Sequence, residues 1–170
     1  MPSKQKTKGS GYERDVAKFL TNLYNENFIR TIGSGAFIGG VNKSRTSYLT
    51  EEQTRSHKGD VTPPPSFKYA NIECKFYQDF PFHKLFTGDA AQLDTWIEQT
   101  LDVEDEGDVN IIFMKFNRRG QYVAYQKKSG IPTDKALHYR DDWYVIEFNT
   151  FFDNYQDEFK IACSPKEVIV

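Results

Sequence analysis

The most restrictive stretch of the chain is Val109–Phe116, Val-Asn-Ile-Ile-Phe-Met-Lys-Phe, a nearly continuous apolar run of strand length. A strand apolar on both sides of its pleat must be covered on both sides, so this segment reads as a buried strand. Residues 68–77 carry a different pattern. Alternation places Ala70, Ile72, Cys74 and Phe76 on one face, and Tyr69, Asn71, Glu73, Lys75 and Tyr77 on the other. The first is a core face; the second sets a carboxylate and an ammonium side by side. Helical spacing of Tyr12, Val16, Phe19, Leu20 and Leu23 predicts a helix over 11–24 with Ser10 as N-cap, behind a flexible basic arm, 1–9. Ala90, Leu93, Ile97 and Leu101 predict a second helix, and a turn at 117–120 leads into a strand over 121–125. Short strands are expected at 28–32 and 60–62, a long loop or flap at 39–58, and an acidic loop at 102–108. The tail offers a strand at 143–148, a short helical piece near 151–155 and a last strand near 159–163. Helix, strands, helix, strands predict a mixed α/β sandwich.

The 170 residues suit one domain over 1–170, with 120–170 extending the sheet and helix layer. A net charge of −2 argues at first against nucleic acid, but the charge is uneven. Residues 1–59 hold ten Lys/Arg against five Asp/Glu, a local +5, and residues 60–170 hold twelve against nineteen, a local −7. One basic surface can bind phosphate whatever the total, because such contacts act within roughly 8–10 Å. The same asymmetry also fits an uneven solvated surface. Two cysteines without metal-type spacing suggest neither zinc nor a disulfide framework. The polar, basic start is no secretory signal and no apolar run spans a bilayer, so a cytoplasmic protein without membrane contact is expected. His57, His83 and His138 are scattered and form no ligand set. Tyr77, Phe80, Phe82 and Phe86 are expected to pack in the core rather than stack on bases.

The chemistry gathers at Gly59-Asp60 and, thirteen residues on from Asp60, at Glu73-Cys74-Lys75. Mg²⁺ is a hard ion that takes oxygen ligands and keeps several waters, so two carboxylates and a backbone carbonyl can hold it. Asp60 and Glu73 on neighbouring strands could converge on one ion, with the Cys74 carbonyl as third ligand. Lys75, on the Glu73 face, would position or deprotonate the attacking water or stabilise transition-state charge. A solvated strand face with a surface ion pair is the competing reading of the triplet.

Lys8-Gly9-Ser10-Gly11-Tyr12-Glu13-Arg14, Arg30-Thr31-Ile32-Gly33-Ser34-Gly35-Ala36, Gly59-Asp60 and Ile72-Glu73-Cys74-Lys75 stand in an order that resembles the archaeal Holliday-junction resolvase family. That family belongs to the restriction-endonuclease-like PD-(D/E)xK nucleases. The likeness spans about 8–38 and 59–117 and implies a mixed central β-sheet flanked by helices. It implies that Glu13 completes a metal site with Asp60 and Glu73, that Ser34 lies near the scissile phosphate, and that Gln92 supports the centre. Lys8, Arg14 and Arg30 match basic positions near DNA. Each has a plainer alternative: Ser10 and Glu13 fit a capping box, Ser34 a turn, Gln92 a helix surface. Two departures stand out. Twenty-five residues, 35–59, separate Ser34 from Asp60, and Gly59 replaces the proline common before the aspartate. The insertion could be a flap that brings Lys43, Arg45, Arg55 and Lys58 to phosphates, or a solvated loop.

The expected activity is Mg²⁺-dependent DNA cleavage, with Mn²⁺ able to substitute and no small-molecule cofactor. The expected substrate is a four-way junction, cut by a two-fold homodimer because both strands must be cut symmetrically. A sequence-specific restriction-type or repair nuclease is the alternative within the class, and a non-catalytic DNA-binding or assembly protein the alternative outside it.

Overall fold

The computed structural model describes residues 3–32, 44, 47–50, 53 and 58–167. Helix α1, Lys4–Tyr24, is followed by β1, Ile29–Arg30; β2, Val61–Thr62; and β3, Ala70–Tyr77. A short helix α2, Lys84–Thr87, and α3, Ala91–Asp102, lead to β4, Val109–Phe116, and β5, Gly120–Gln126. Strands β6, Leu137–Arg140, and β7, Trp143–Glu147, precede α4, Phe148–Cys163. Among the described residues seven strands form one sheet in the order β1-β2-β3-β4-β5-β7-β6. Only β3 and β4 run parallel, with Glu73 beside Ile112 and Lys75 beside Met114; the other neighbours are antiparallel. This is the mixed sheet expected of a restriction-endonuclease-like fold.

The buried strand expected at Val109–Phe116 is β4, and its two apolar faces enter two cores. Ile111 and Phe113 pack with Tyr12, Val16 and Leu20 of α1 and the aromatic residues of α4. Ile112, Met114 and Phe116 pack with Leu93 and Trp96 of α3 and with Val145 of β7. Helices therefore cover both sides of the sheet. None of the helices among the described residues is long and apolar enough to cross a membrane.

Two expectations are corrected. The basic segment at 1–9 is not an arm from Lys4 onward but the first turns of α1, so Ser10 lies inside the helix and cannot cap it. Gly9 and Gly11 each cost about 1 kcal/mol relative to Ala within a helix. They are tolerated because the following turns bury Tyr12, Val16 and Leu20. In the tail, the strand expected near 159–163 is the second half of α4. Phe148, Phe151, Phe152, Tyr155, Phe159 and Cys163 recur at helical spacing and are all buried. The helix bends at Tyr155 (φ −128°, ψ 19°), whose hydroxyl donates to Asp134 Oδ1 at 2.5 Å. Glu147 caps it, accepting from the Thr150 amide at 2.7 Å and the Thr150 hydroxyl at 2.9 Å. Partial burial opposes ionisation of Glu147, but the amides of Thr150 and Asn149 and the Thr150 hydroxyl outweigh it and hold its pKa below the usual carboxylate range.

Candidate active site

The site lies at the start of β2, where β3 runs on past Ile72 with no ladder partner on its β2 edge among the described residues while it stays paired to β4 on the other. β2 pairs with β3 only at Val61 and Ile72. Just before β2, Gly59 adopts φ +66°, and a Cβ there would lie 2.5 Å from the Ile72 carbonyl oxygen. Only glycine fits such a left-handed, close-packed position, which is why the proline of the resembled motif is absent here. The turn lets the Asp60 amide donate to Ile72 O at 2.7 Å, while the Asp60 carbonyl accepts from the Thr31 amide at 2.9 Å. The Asp60 carboxylate then takes the place of the missing strand partner, its Oδ2 accepting from the Cys74 amide at 2.8 Å. In an extended strand the amide and carbonyl of one residue point to the same edge, so the Cys74 carbonyl faces the side from which Asp60 approaches.

Asp60 is 7% exposed, and its pKa is pushed up to about 8. Burial is the largest cause, followed by the Glu73 charge; the Cys74 amide opposes the rise, the Glu13 charge adds to it and Lys75 lowers it. Burial likewise pushes the Cys74 thiol well up, so it stays protonated and packs as an apolar group. Glu73 and Lys75 pair at 2.7 Å, with 16% and 14% of their side chains exposed. The Lys75 ammonium also donates to Gln99 Oε1 at 2.8 Å. The neighbouring residue of α3, Thr100, accepts at its carbonyl from Asn71 Nδ2 at 3.0 Å, and this buried bond sets the register of the helix against β3. Glu13 on α1 is 9% exposed and pairs with Arg30 Nε at 2.5 Å.

Asp60, Glu73 and Glu13 thus bring carboxylates into one buried region, where, among the described residues, Lys75 and Arg30 offset them. Among the described residues no three His, Cys, Asp or Glu side chains are grouped closely enough to make a metal centre by themselves. The hard donors of the region are the Asp60 carboxylate, the Glu73 carboxylate, whose charge is near enough to raise the Asp60 pKa, and the Cys74 carbonyl on the Asp60 side of β3. They are hard oxygen ligands whose mutual repulsion a cation would relieve, and they suit an ion that retains waters.

Of the residues expected from the sequence, the structure brings together Asp60, Glu73, Lys75 and Glu13. Arg30 turns to Glu13. Arg14 is exposed on α1, and Lys8 is exposed with its ammonium 5.7 Å from the Phe76 ring centre. Ser34, Lys43, Arg45 and Arg55 lie outside the described residues. Lys58 is a correction. Its side chain is 6% exposed and pairs with Asp108, also 6% exposed, and with Asp105 at 2.9 Å. A cation buried on two aspartates is not presented to DNA; it ties Lys58, next to the Gly59-Asp60 turn, to the α3–β4 loop. Gln92 is half-buried and, among the described residues, makes no side-chain hydrogen bond to the site; Gln99 reaches Lys75 instead. The signal for Gln99 was present, because it stands seven residues, two helical turns, beyond Gln92 on the same stripe.

No curated protein and no solved structure matches the chain. A family model described as "Phage putative PDDEXK endonuclease" matches residues 4–162, which take in α1, the Asp60 turn, Glu73-Cys74-Lys75 and most of α4. By this match over nearly its whole length, and with the aspartate and the Glu-x-Lys triplet meeting at one fork of the sheet, the chain belongs to that family of phage PD-(D/E)xK endonucleases.

Proposed function

We propose that the chain hydrolyses phosphodiester bonds of DNA with Mg²⁺, or Mn²⁺ in its place, at Asp60, Glu73 and the Cys74 carbonyl, with four-way junctions as its preferred substrate and a homodimer as its active form. The observation that carries the catalytic reading is the Asp60 carboxylate bonded to the Cys74 amide, one residue from both Glu73 and Lys75. A bound Mg²⁺ would neutralise phosphate charge and make the attacking water more acidic. Lys75, fixed between Glu73 and Gln99, orients that water and places positive charge beside the phosphorus as the new P–O bond forms and the bond to the leaving oxygen breaks. Glu73 holds the Lys75 ammonium in place through their ion pair. Glu13 adds negative charge behind Asp60, with Arg30 fixing its orientation. Ser34 is assigned to the neighbourhood of the scissile phosphate, and Arg14 and Lys8 to flanking phosphates.

Junction selectivity rests on the resemblance to the Holliday-junction resolvase family. The test is incubation with labelled four-way junction and matching linear duplex, in Mg²⁺ or chelator, beside Glu73→Ala. Paired symmetric cuts in the junction, lost with chelator and in the variant, are expected. Equal cutting of linear duplex would remove the junction assignment, and absence of any cutting would remove the enzymatic one.

A further inference from the structure

The parallel strands β3 and β4 end side by side, and in α/β sheets the carboxyl ends of parallel strands are where a ligand crevice opens. Two cavities of about 620 and 340 Å³ lie at this end. They share Asp79 and Arg119, so they form one groove, walled by Phe82 and His83 on one side and Arg118 on the other. The turn carrying the arginines is tied to β3, since the Asn117 amide donates to the Tyr77 carbonyl at 3.0 Å. It therefore sits two residues beyond Lys75, or roughly 7 Å at about 3.3 Å per residue. DNA carries a phosphate every ~3.4 Å of helix axis along each strand. A strand with its scissile phosphate at Lys75 would bring its next one or two phosphates past this turn.

The charge at this end supports that path. Arg118 is exposed and makes no ion pair among the described residues. It is held at φ +59°, a left-handed conformation that few non-glycine residues adopt and that often marks a functional position. Lys8 and Lys115 lie over the Phe76 ring nearby, at 5.7 and 5.0 Å from its centre. The carboxylates Glu104, Asp105, Glu106 and Asp108 gather at the opposite, amino-terminal end of β4. Among the described residues the one acid lining the groove is Asp79, which holds Arg119 at 3.2 Å while both are largely exposed. An exposed pair of this kind is weak and readily exchanged for a phosphate.

We propose that this groove is a second phosphate-contacting subsite, in which Arg118 and Arg119 hold the DNA backbone one or two nucleotides from the cut and Asp79 occupies Arg119 until DNA arrives. The assignment rests on the nuclease reading above. It is tested by the salt dependence of binding to labelled duplex and junction DNA, with Glu73→Ala as the uncut parent. Removing two phosphate contacts in Arg118→Gly/Arg119→Gln should make the slope of log K against log salt shallower by about 2, and weaken binding roughly tenfold at 0.1 M salt. Glycine keeps the positive φ at 118, and an unchanged melting temperature checks the fold. Asp79→Asn, which preserves the acceptor for the Phe80 amide, should tighten binding. Lys127→Gln/Lys128→Gln, removing the same charge at the far end of the sheet, should leave the slope unchanged. A parent that binds DNA while the arginine variant keeps its slope, or while the distal lysine variant loses as much, overturns the subsite alone. A parent that binds no DNA overturns the nuclease reading with it.

Discussion

Gly59 is the residue on which the geometry of the site turns. Its φ of +66° and the 2.5 Å approach to the Ile72 carbonyl exclude any side chain. Gly59→Ala is expected to cost roughly 2 kcal/mol or more, the left-handed penalty plus the backbone contact, measured by urea unfolding. Gly59→Pro would restore the motif's usual proline, yet proline is confined to φ near −65° and should abolish DNA cleavage; wild-type activity in that variant would contradict the turn described. Asp60 gives a second prediction. Its carboxyl keeps its proton up to about pH 8 in the folded, metal-free protein and loses it near pH 4 when unfolded. Between those values the folded state binds more protons, so stability must fall as pH rises. Melting in chelator should therefore decline from pH 5 to pH 8 in the wild type and decline less in Asp60→Asn, whose amide oxygen still accepts from Cys74. Equal slopes would show that Asp60 titrates normally.

Among the elements, β3 and β4 were legible in the sequence because their patterns are local. Alternation and an apolar run of eight state both the strand and its buried faces, and Glu73 and Lys75 could be placed on one face before any coordinates. α4 was not legible as one helix. Phe, Tyr and Ile near its end favour strands in isolation, and the helical stripe emerges only when all six buried positions are taken together. The role of Lys58 was equally hidden. A lysine in a polar segment reads as a phosphate contact until Asp105 and Asp108, far along the chain, are seen to enclose it. Burial raises the pKa of Asp108, and Lys58 opposes that rise. Asp108→Ala leaves the Lys58 charge poorly compensated and should cost about 3 kcal/mol. Lys58→Met/Asp108→Leu removes both charges and should recover most of that loss. A double variant no more stable than Asp108→Ala, by denaturant unfolding, would show that the pair contributes nothing jointly.

At the scale of the whole molecule, a net charge of −2 is compatible with a DNA substrate because the charges are separated along the sheet. Cations stand at the carboxyl ends of β3 and β4, and acids at the amino end of β4. The sequence hinted at this through its basic first third, but Lys43, Arg45 and Arg55 lie outside the described residues, and Lys58 is buried. Arg118, Arg119 and Lys115, from the acidic part of the chain, supply cations that a count along the sequence assigned to the wrong side. The measurement that tests the account most directly is Mn²⁺-linked thermal stabilisation of the wild type, Asp60→Asn and Glu73→Gln at pH 8, without DNA. The melting temperature is expected to climb with Mn²⁺ in the wild type, by the stabilisation any ligand of the folded state confers, with little or no rise in either variant. An equal rise in all three proteins would place the cation elsewhere and contradict the site at Asp60 and Glu73.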